Sequence, residues 1–255
     1  MLVPGDPRSP VLLHVPHAGT EVPAWARDRL LLDHAELAAE QDALTDHRTD
    51  ELAGAAAAAA RVRPFLLVNP VSRFVVDVER FPDEREEMAA VGMAAVYTHG
   101  SRGQRIRADD PEHQAALLAA YYEPWAAAVY DAVAERLAAT GRAVLIDVHS
   151  YPGVALPYEL HGSGPRPPVC LGTDPFHTPA ELVAAARAAF GTGVALDSPF
   201  SGVYVPLAHF HREPRVHAIM IEIRRDGYLV EPAGPPTDGF DVLAGALTRL
   251  VDAMS

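Results

Sequence analysis

The stretch Ala143-Val144-Leu145-Ile146-Asp147-Val148 is a short apolar run that ends at His149 and Ser150. It is continuous rather than alternating, which is typical of a strand that is covered on both faces. A similar run, Val11–Val15, is followed by His17. In open α/β sheets, residues that follow neighbouring strands converge outside the carboxyl ends of those strands. The two histidines are therefore expected to meet at one edge of a sheet, although 132 positions separate them.

Strand-like and helical segments alternate along the chain. We predict strands at Val11–Val15, Phe65–Asn69, Arg73–Val78, Ala143–Val148, Val169–Gly172 and His217–Ile223. Helical patterns, rich in Ala and Leu and bounded by Gly or Pro, lie at roughly Ala35–Ala60, Pro111–Thr140, Pro179–Phe190 and Gly239–Ala253. This order favours an α/β fold, a three-layer sandwich with a mixed, mostly parallel sheet. Because no composition shift marks a boundary, we expect residues 1–255 to form one domain.

The charge balance limits the partners of the chain. Its 21 basic and 34 acidic residues give a formal net charge of −13, which argues against binding to a nucleic-acid backbone or an anionic membrane surface. The chain contains no lysine, so every fixed positive side chain is an arginine. Arginine suits bidentate binding of carboxylates, but a compositional bias toward Arg and Ala explains its use better. A small anionic substrate would need local arginines.

The single cysteine, Cys170, excludes an intrachain disulfide and fits a reducing compartment. The first residues lack a cationic segment followed by an apolar stretch, so we predict no secretory signal. The longest Ala-rich run, residues 55–60, is too short to span a bilayer. We expect a cytoplasmic protein, a monomer or a small homo-oligomer.

The two histidines at strand ends are candidate metal ligands, because a neutral imidazole is a common zinc ligand and a carboxylate can complete a three-ligand site. Asp46 is the leading candidate for that carboxylate, and Glu21 and Glu36 are weaker ones. Each residue also has a structural interpretation. His17 would cap its turn, His149 would pair with a neighbouring aspartate in the sheet, and Asp46 would cap the following helix.

Glu222 is a lone acid in the apolar stretch Ala218–Ile223. Burial in such a strand disfavours the charged form and raises the pKa of a carboxyl group toward the range that is useful for a general base. The competing interpretation is a buried ion pair with Arg224, Arg225 or Arg73.

Arg73 and Arg80 are candidates for binding a substrate carboxylate. In a regular strand they point to opposite faces, so both serve one pocket only if the strand ends before Arg80. Each arginine would otherwise pair with Asp77 or Glu79. The histidines of His209-Phe210-His211 are interpreted as polar surface.

Taken together, six stretches in sequence order resemble the N-formylglutamate amidohydrolase family. They are Val15–Thr20 (VPHAGT), Thr45-Asp46, Ser72–Asp77 (SRFVVD), Ile146–Ser150 (IDVHS), Pro199–Gly202 (PFSG) and Ile221–Arg225 (IEIRR). The resemblance extends from about Val11 to Glu231. It implies a carboxypeptidase-like α/β fold and a zinc-dependent hydrolase. The implied reaction cleaves the formyl amide of N-formyl-L-glutamate to formate and glutamate at the end of histidine breakdown.

The resemblance also implies roles for individual residues. One Zn²⁺ per chain would be held by His17, Asp46 and His149, and Glu222 would be the general base and acid. The substrate-binding candidates are Arg73, Arg80 and Arg224.

The chain departs from the family pattern at three positions. Thr20 stands where a carboxypeptidase-type His-x-x-Glu pair would have its glutamate, Glu79 replaces the usual asparagine of Asp-Leu-Asn-Arg, and Met220 replaces a usual glutamine. Because Glu79 adds negative charge beside the expected carboxylate clamp, a related N-acyl amino acid is a second candidate substrate. Two further function classes stay open at this point. One is an aspartoacylase- or peptidase-like deacylase, and the other is a non-catalytic metal-dependent binding protein for acidic metabolites, which would not need Glu222.

Overall fold

A computed structural model describes residues 1–160 and 164–255 of the chain and contains a seven-stranded sheet of order β1-β3-β2-β4-β7-β5-β6. The strands are β1 (Leu2–Val3), β2 (Val11–Val15), β3 (Phe65–Val68), β4 (Ala143–Tyr151), β5 (Val169–Gly172), β6 (Val194–Leu196) and β7 (Val216–Arg224). Within these ranges β1 is antiparallel to β3 and β5 is antiparallel to β7, whereas the other four pairings are parallel. The prediction of a mixed, mostly parallel sheet is confirmed.

Seven α-helices accompany the strands in the described ranges. They are α1 (Ala24–Arg27), α2 (His34–Leu44), α3 (Thr49–Ala59), α4 (Pro111–Leu117), α5 (Glu123–Thr140), α6 (Ala180–Phe190) and α7 (Gly239–Met254). A π-helical turn, Leu118–Tyr122, joins α4 to α5, so the predicted helix at Pro111–Thr140 is present with one irregular turn. None of the helices described is both long and apolar enough to cross a membrane.

The sheet lies between two layers of helices. Helices α3, α6 and α7 pack on one face, against residues of β4 such as Val144 and Ile146. Helix α5 packs on the other face, against Leu145 and its neighbours. Because successive side chains of a strand point to opposite faces, Asp147 and His149 lie on the α5 face. Asp147 and His149 therefore share one side of the sheet.

The predicted helix Ala35–Ala60 is interrupted, and the interruption contains a candidate ligand. Helix α2 starts at a capping box formed by Asp33 and Glu36. Between α2 and α3 the backbone of Arg48 adopts a left-handed conformation with φ 63°, which a right-handed helix does not accommodate. Asp46 lies in this break, and its backbone N–H donates to the carbonyl oxygen of His17 at 3.0 Å.

The predicted strand Arg73–Val78 was wrong, because this segment forms turns. The N–H of Val75 bonds locally to the carbonyl oxygen of Ser72 at 2.8 Å, as in a turn and unlike a sheet ladder. Phe74, Val75 and Val76 are fully buried. Their apolar character therefore reflects packing into the core rather than strand pairing. Strands β1 and β6 were missed because runs of two and three residues carry no periodicity.

The turn that carries His17 is braced by the end of β3. The side-chain amide of Asn69 donates to the carbonyl oxygen of Pro16 at 3.0 Å. Gly19 lies so close to this segment that a Cβ at position 19 would be 2.3 Å from the carbonyl carbon of Pro70. The close approach of two backbones requires glycine at position 19.

We therefore expect Gly19→Ala to shift the turn and to lower the free energy of unfolding by about 1–3 kcal/mol, the usual effect of overpacking. Gly54→Ala is the matched control, because no atom lies within 4 Å of a Cβ added there in helix α3. In a helix the control change should stabilise by ~0.5–1 kcal/mol. Urea unfolding of both variants measures the difference, and equal stabilities would contradict the role of Gly19.

Candidate active site

A cavity of about 190 Å³ opens over the α5 face of the sheet, at the carboxyl ends of β2 and β4. Strands β4 and β7 pair in parallel register along their whole length, with His149 opposite Glu222. These two side chains consequently point to the same face and into the same space. The charged and imidazole side chains that line the cavity include His17, Asp46, Arg73, Asp77, Glu79, Arg80, His149, Glu222 and Arg225.

The imidazoles of His17 and His149 face each other, as the strand ends predicted. Their Nδ1 atoms are 3.3 Å apart, and both residues are buried. The other ring nitrogen of His17, Nε2, lies 2.9 Å from Oδ1 of Asp77. A carboxylate at this position holds the proton on Nε2, which leaves the lone pair of Nδ1 directed toward His149. His17 therefore does not serve as a backbone cap of its turn.

Asp77 is a permanent anion behind His17. Its carboxylate also accepts hydrogen bonds from Arg73, at 2.7 Å, and from the hydroxyl of Tyr97. Burial opposes ionisation of Asp77, but His17, Arg73 and Arg80 outweigh it and hold the pKa of the carboxyl group well below its usual range. This negative charge orients the ring of His17.

Asp46 lies on the same side of the two imidazoles. Its Oδ2 atom is 3.0 Å from Nδ1 of His149 and 3.9 Å from Nδ1 of His17. Two imidazole nitrogens and a carboxylate oxygen thus meet at one point, an arrangement that a shared proton or a metal cation stabilises. Two nitrogen ligands of a tetrahedral zinc ion with bonds of about 2.0–2.1 Å are about 3.3 Å apart, which the pair of Nδ1 atoms matches. The donor set fits zinc.

Among the three candidate carboxylate ligands, only Asp46 lies beside the two imidazoles. Asp46 does not cap α3, whose N-cap position is Arg48. Glu36 is engaged in the capping box of α2, and Glu21 is exposed and does not line the cavity.

Glu79 is a second carboxylate near the imidazoles. Its Oε2 atom lies 3.2 Å from Nε2 of His149 and 3.8 Å from Nδ1 of His17. One donor atom from each of His17, Glu79 and His149 lies within 4.8 Å of the others, so these three residues also form a candidate metal group. Asp46 and Glu79 approach opposite nitrogens of the His149 ring. Because one ion binds only one nitrogen of an imidazole, Asp46 is the carboxylate that shares the Nδ1 side with both histidines.

Glu222 has the environment of a general base. It is 9% exposed, its Oε2 atom has no hydrogen-bond partner among the described residues, and it forms no ion pair with an arginine of those residues. Burial raises the pKa of Glu222 to about 8, against the opposing effect of His149. A carboxyl group with this pKa can accept and release a proton near neutral pH.

The three arginines of the cavity differ in how far their donors are used. Arg73 donates to Asp77, to Tyr97 and to the carbonyl oxygen of Leu44. Within the described residues, the Nε atom of Arg80 has no hydrogen-bond partner and lies 3.5 Å from Asp77. Arg80 is thus the least engaged cation of the three. Because the segment is a turn and not a strand, both predicted arginines reach the same cavity.

Arg225 donates to the hydroxyl of Ser150 at 3.2 Å and to the carbonyl oxygen of Ala43 at 2.8 Å. It also lies 3.7 Å from Asp46, so it supports the carboxylate beside the imidazoles.

Arg224, the third predicted substrate-binding residue, is not among the described residues that line the cavity. Its guanidinium pairs with Asp226 at 2.7 Å. Strand β7 ends at Arg224, and the 3₁₀ turn Arg225–Gly227 then carries Arg225 back over the cavity. Sequence reasoning named Arg225 only as an ion-pair partner of Glu222 and not as a residue of the site, although it lies in the resembling stretch Ile221–Arg225.

Comparisons with known proteins agree with this architecture. The family model described as N-formylglutamate amidohydrolase matches residues 9–229. The crystal structure of N-formylglutamate amidohydrolase from Ralstonia eutropha JMP134 is similar, with 23% identity, 99% of this chain and 95% of that chain covered, and a TM-score of 0.81. A gene product from Agrobacterium tumefaciens has 22% identity, coverage of 96% and 89%, and a TM-score of 0.70. No curated protein matches significantly.

The raised pKa of Glu222 predicts a pH-dependent stability. The folded-state pKa of about 8 exceeds the value of ~4.3 of an unfolded chain, so protonated Glu222 stabilises the metal-free protein fully below the unfolded pKa. That contribution is lost as the pH rises through the folded pKa, by at most ~1.4 kcal/mol per pH unit.

Urea unfolding in the presence of a chelator tests this prediction. Between about pH 5 and about pH 8, the free energy of unfolding of the unmodified chain should fall relative to that of Glu222→Gln. A constant difference over this range would contradict the raised pKa.

Proposed function

Because the chain belongs to the N-formylglutamate amidohydrolase family, we propose that it is a zinc-dependent enzyme that cleaves N-formyl-L-glutamate or a related N-acyl amino acid. Membership of the family makes the chain a hydrolase that acts on an amide. The metal and the substrate are our proposal, as is a cytoplasmic role at the end of histidine degradation. The products would be formate, or another small carboxylate, and the free amino acid.

The observation that carries the proposal is the convergence of Nδ1 of His17, Nδ1 of His149 and Oδ2 of Asp46, separated by 3.3, 3.0 and 3.9 Å. These three residues would hold zinc. The chemistry that such an ion supplies is Lewis-acid polarisation of the amide carbonyl and a lower pKa of water.

Glu222 would carry the proton. Its buried Oε2 atom, which has no partner among the described residues, is the acceptor for a proton of the attacking water molecule. The same carboxyl group then donates that proton to the nitrogen of the leaving amine, so that the carboxylate is regenerated in each turnover. A protein that only bound acidic metabolites would gain nothing from an unpartnered buried carboxyl group, which is why we favour catalysis.

Arg80 would bind the substrate carboxylate, because its guanidinium lines the cavity and its Nε donor is unused within the described residues. Arg73 would contribute positive charge while it stays fixed by Asp77 and Tyr97. Glu79 precedes Arg80 in the chain and lines the same cavity. Its negative charge opposes a substrate carboxylate, and this observation favours keeping other N-acyl amino acids, as for an aspartoacylase-like deacylase, as the second candidate class.

A panel of substrates tests the activity. We expect release of formate from N-formyl-L-glutamate to exceed hydrolysis of N-acetyl amino acids and of peptides. Glu222→Gln is the matched control, since it keeps the size of the side chain and should lose ~10²–10⁴-fold in kcat with zinc still bound. If no substrate of the panel is hydrolysed, the proposed enzymatic activity is refuted. Unchanged turnover by Glu222→Gln would remove Glu222 from the mechanism.

The zinc content of three variants tests the ligand set. After dialysis against zinc-free buffer, the unmodified chain should retain one zinc per chain by elemental analysis. His149→Ala and Asp46→Ala should lose it, because two remaining ligands bind zinc weakly. Glu79→Ala should keep it. Loss from Glu79→Ala with retention by Asp46→Ala would assign the third ligand to Glu79 instead.

A further inference from the structure

A third histidine, His14, lies behind the cavity and is fully buried. Its ring stacks on Tyr204, with centroids 4.9 Å apart and an interplanar angle of 22°, and lies 5.4 Å from the ring of Trp125. It is not among the described residues that line the cavity. Any effect of His14 on the reaction therefore passes through other residues.

His14 contacts two carboxylates that also contact His149. Its Nδ1 atom lies 2.8 Å from Oδ1 of Asp147 and 3.4 Å from Oε1 of Glu79. The same Oδ1 atom of Asp147 lies 3.0 Å from Nε2 of His149, and Oε2 of Glu79 lies 3.2 Å from that nitrogen. Two imidazoles and two carboxylates thus form a closed set of contacts, which we name the His14 cluster.

The sheet positions three residues of the His14 cluster, namely His14, Asp147 and His149. Strands β2 and β4 pair in parallel, with His14 opposite Asp147 in the register. His149 follows two residues later on β4 and therefore points to the same face as Asp147. The backbone thus places the imidazoles of His14 and His149 within reach of the same oxygen of Asp147.

Two carboxylates beside one imidazole nitrogen repel each other unless a cation or a donor lies between them. Asp147 is buried at 2% exposure and the side chain of Glu79 is only 14% exposed, so water screens the repulsion little. His14 supplies the N–H donor. Burial disfavours its protonated form, but Asp147 and Glu79 outweigh burial and raise the pKa of His14 to about 9.

We propose that His14 is a positioning residue for the metal centre. It places the negative charges of Asp147 and Glu79 at 3.0 and 3.2 Å from Nε2 of His149, which favours a proton on Nε2 and leaves the Nδ1 lone pair directed to the metal position. Groups that orient a metal-bound histidine in this way typically change metal affinity or activity by ~10–100-fold when they are lost. The inference rests on the proposed zinc centre.

Three residues of the His14 cluster also satisfy the geometry of a separate metal site. They are His14, Glu79 and Asp147, whose donor atoms lie within 4.8 Å of one another. The positioning role is favoured because His14 is fully buried and is not among the described residues that line the cavity, whereas His17 and His149 line it. The number of ions bound per chain separates the two roles.

The test compares zinc binding by His14→Leu, His14→Asn and the unmodified chain, measured by competition with a chromophoric chelator. His14→Leu removes the donor and should weaken zinc binding ~10–100-fold. His14→Asn keeps an N–H donor near the Nδ1 position and should recover most of the affinity. The spectrum of the Co²⁺-substituted protein should change in His14→Leu, because the ligand His149 is no longer held in one orientation.

A variant of another buried histidine controls for lost stability. His177 is fully buried, and its ring bonds to the carbonyl oxygen of Val216 and to the N–H of His211, away from the cavity. His177→Leu should lower the free energy of unfolding without changing zinc affinity. If His14→Leu does not fold, Asp147→Asn replaces it, because removal of that carboxylate breaks the same contact with His149.

Each outcome decides one question. If the unmodified chain binds no zinc, the proposed function fails. If it binds one zinc and both His14→Leu and Asp147→Asn bind it with the same affinity and the same Co²⁺ spectrum, the positioning role is overturned and the zinc centre stands. If the unmodified chain binds two zinc ions and His14→Leu binds one, His14 is a metal ligand and the positioning role is also overturned.

Discussion

The arrangement of the cavity depends on one electrostatic constraint, the meeting of acceptor atoms from His17, His149 and Asp46 in a buried space. Two imidazole nitrogens at 3.3 Å with a carboxylate oxygen 3.0 Å from one of them form an unfavourable set unless a proton or a metal cation lies among them. The surrounding contacts maintain this set. Asp77 binds the far nitrogen of His17, and Arg225 approaches Asp46 at 3.7 Å.

The sheet supplies the precision of this arrangement. His149 belongs to β4, which pairs with β2 as far as Asp147 and with β7 along its whole length, so the backbone that leads to His149 is held on both sides. Glu222 lies opposite His149 on the neighbouring strand β7, so its side chain points to the same face of the sheet. The central strand buries the carboxyl group of Glu222, and this desolvation is the physical origin of its raised pKa. The general base thus acquires its basicity from its position in the fold.

The apolar runs of the sequence predicted most of the sheet, because continuous hydrophobic strands are required where helices cover both faces. Val11–Val15 and Val169–Gly172 are strands as predicted, and the run at Ala143 is a strand that extends to Tyr151. The run at Arg73 is the instructive failure. Its apolar residues are buried in the core while its backbone turns, and hydrophobicity alone does not distinguish the two cases.

The sequence by itself determined the α/β class, the two histidines at strand ends and the lone acid at position 222, because these depend on local patterns of burial. Only the tertiary structure decided which carboxylates and arginines accompany them. Asp46 and Glu79 differ in which nitrogen of His149 they face. Arg225 lines the cavity instead of Arg224, because β7 ends at Arg224 and the turn that follows carries Arg225 back over the cavity. Such choices depend on distances of a few ångströms between segments far apart in the chain, which no local pattern encodes.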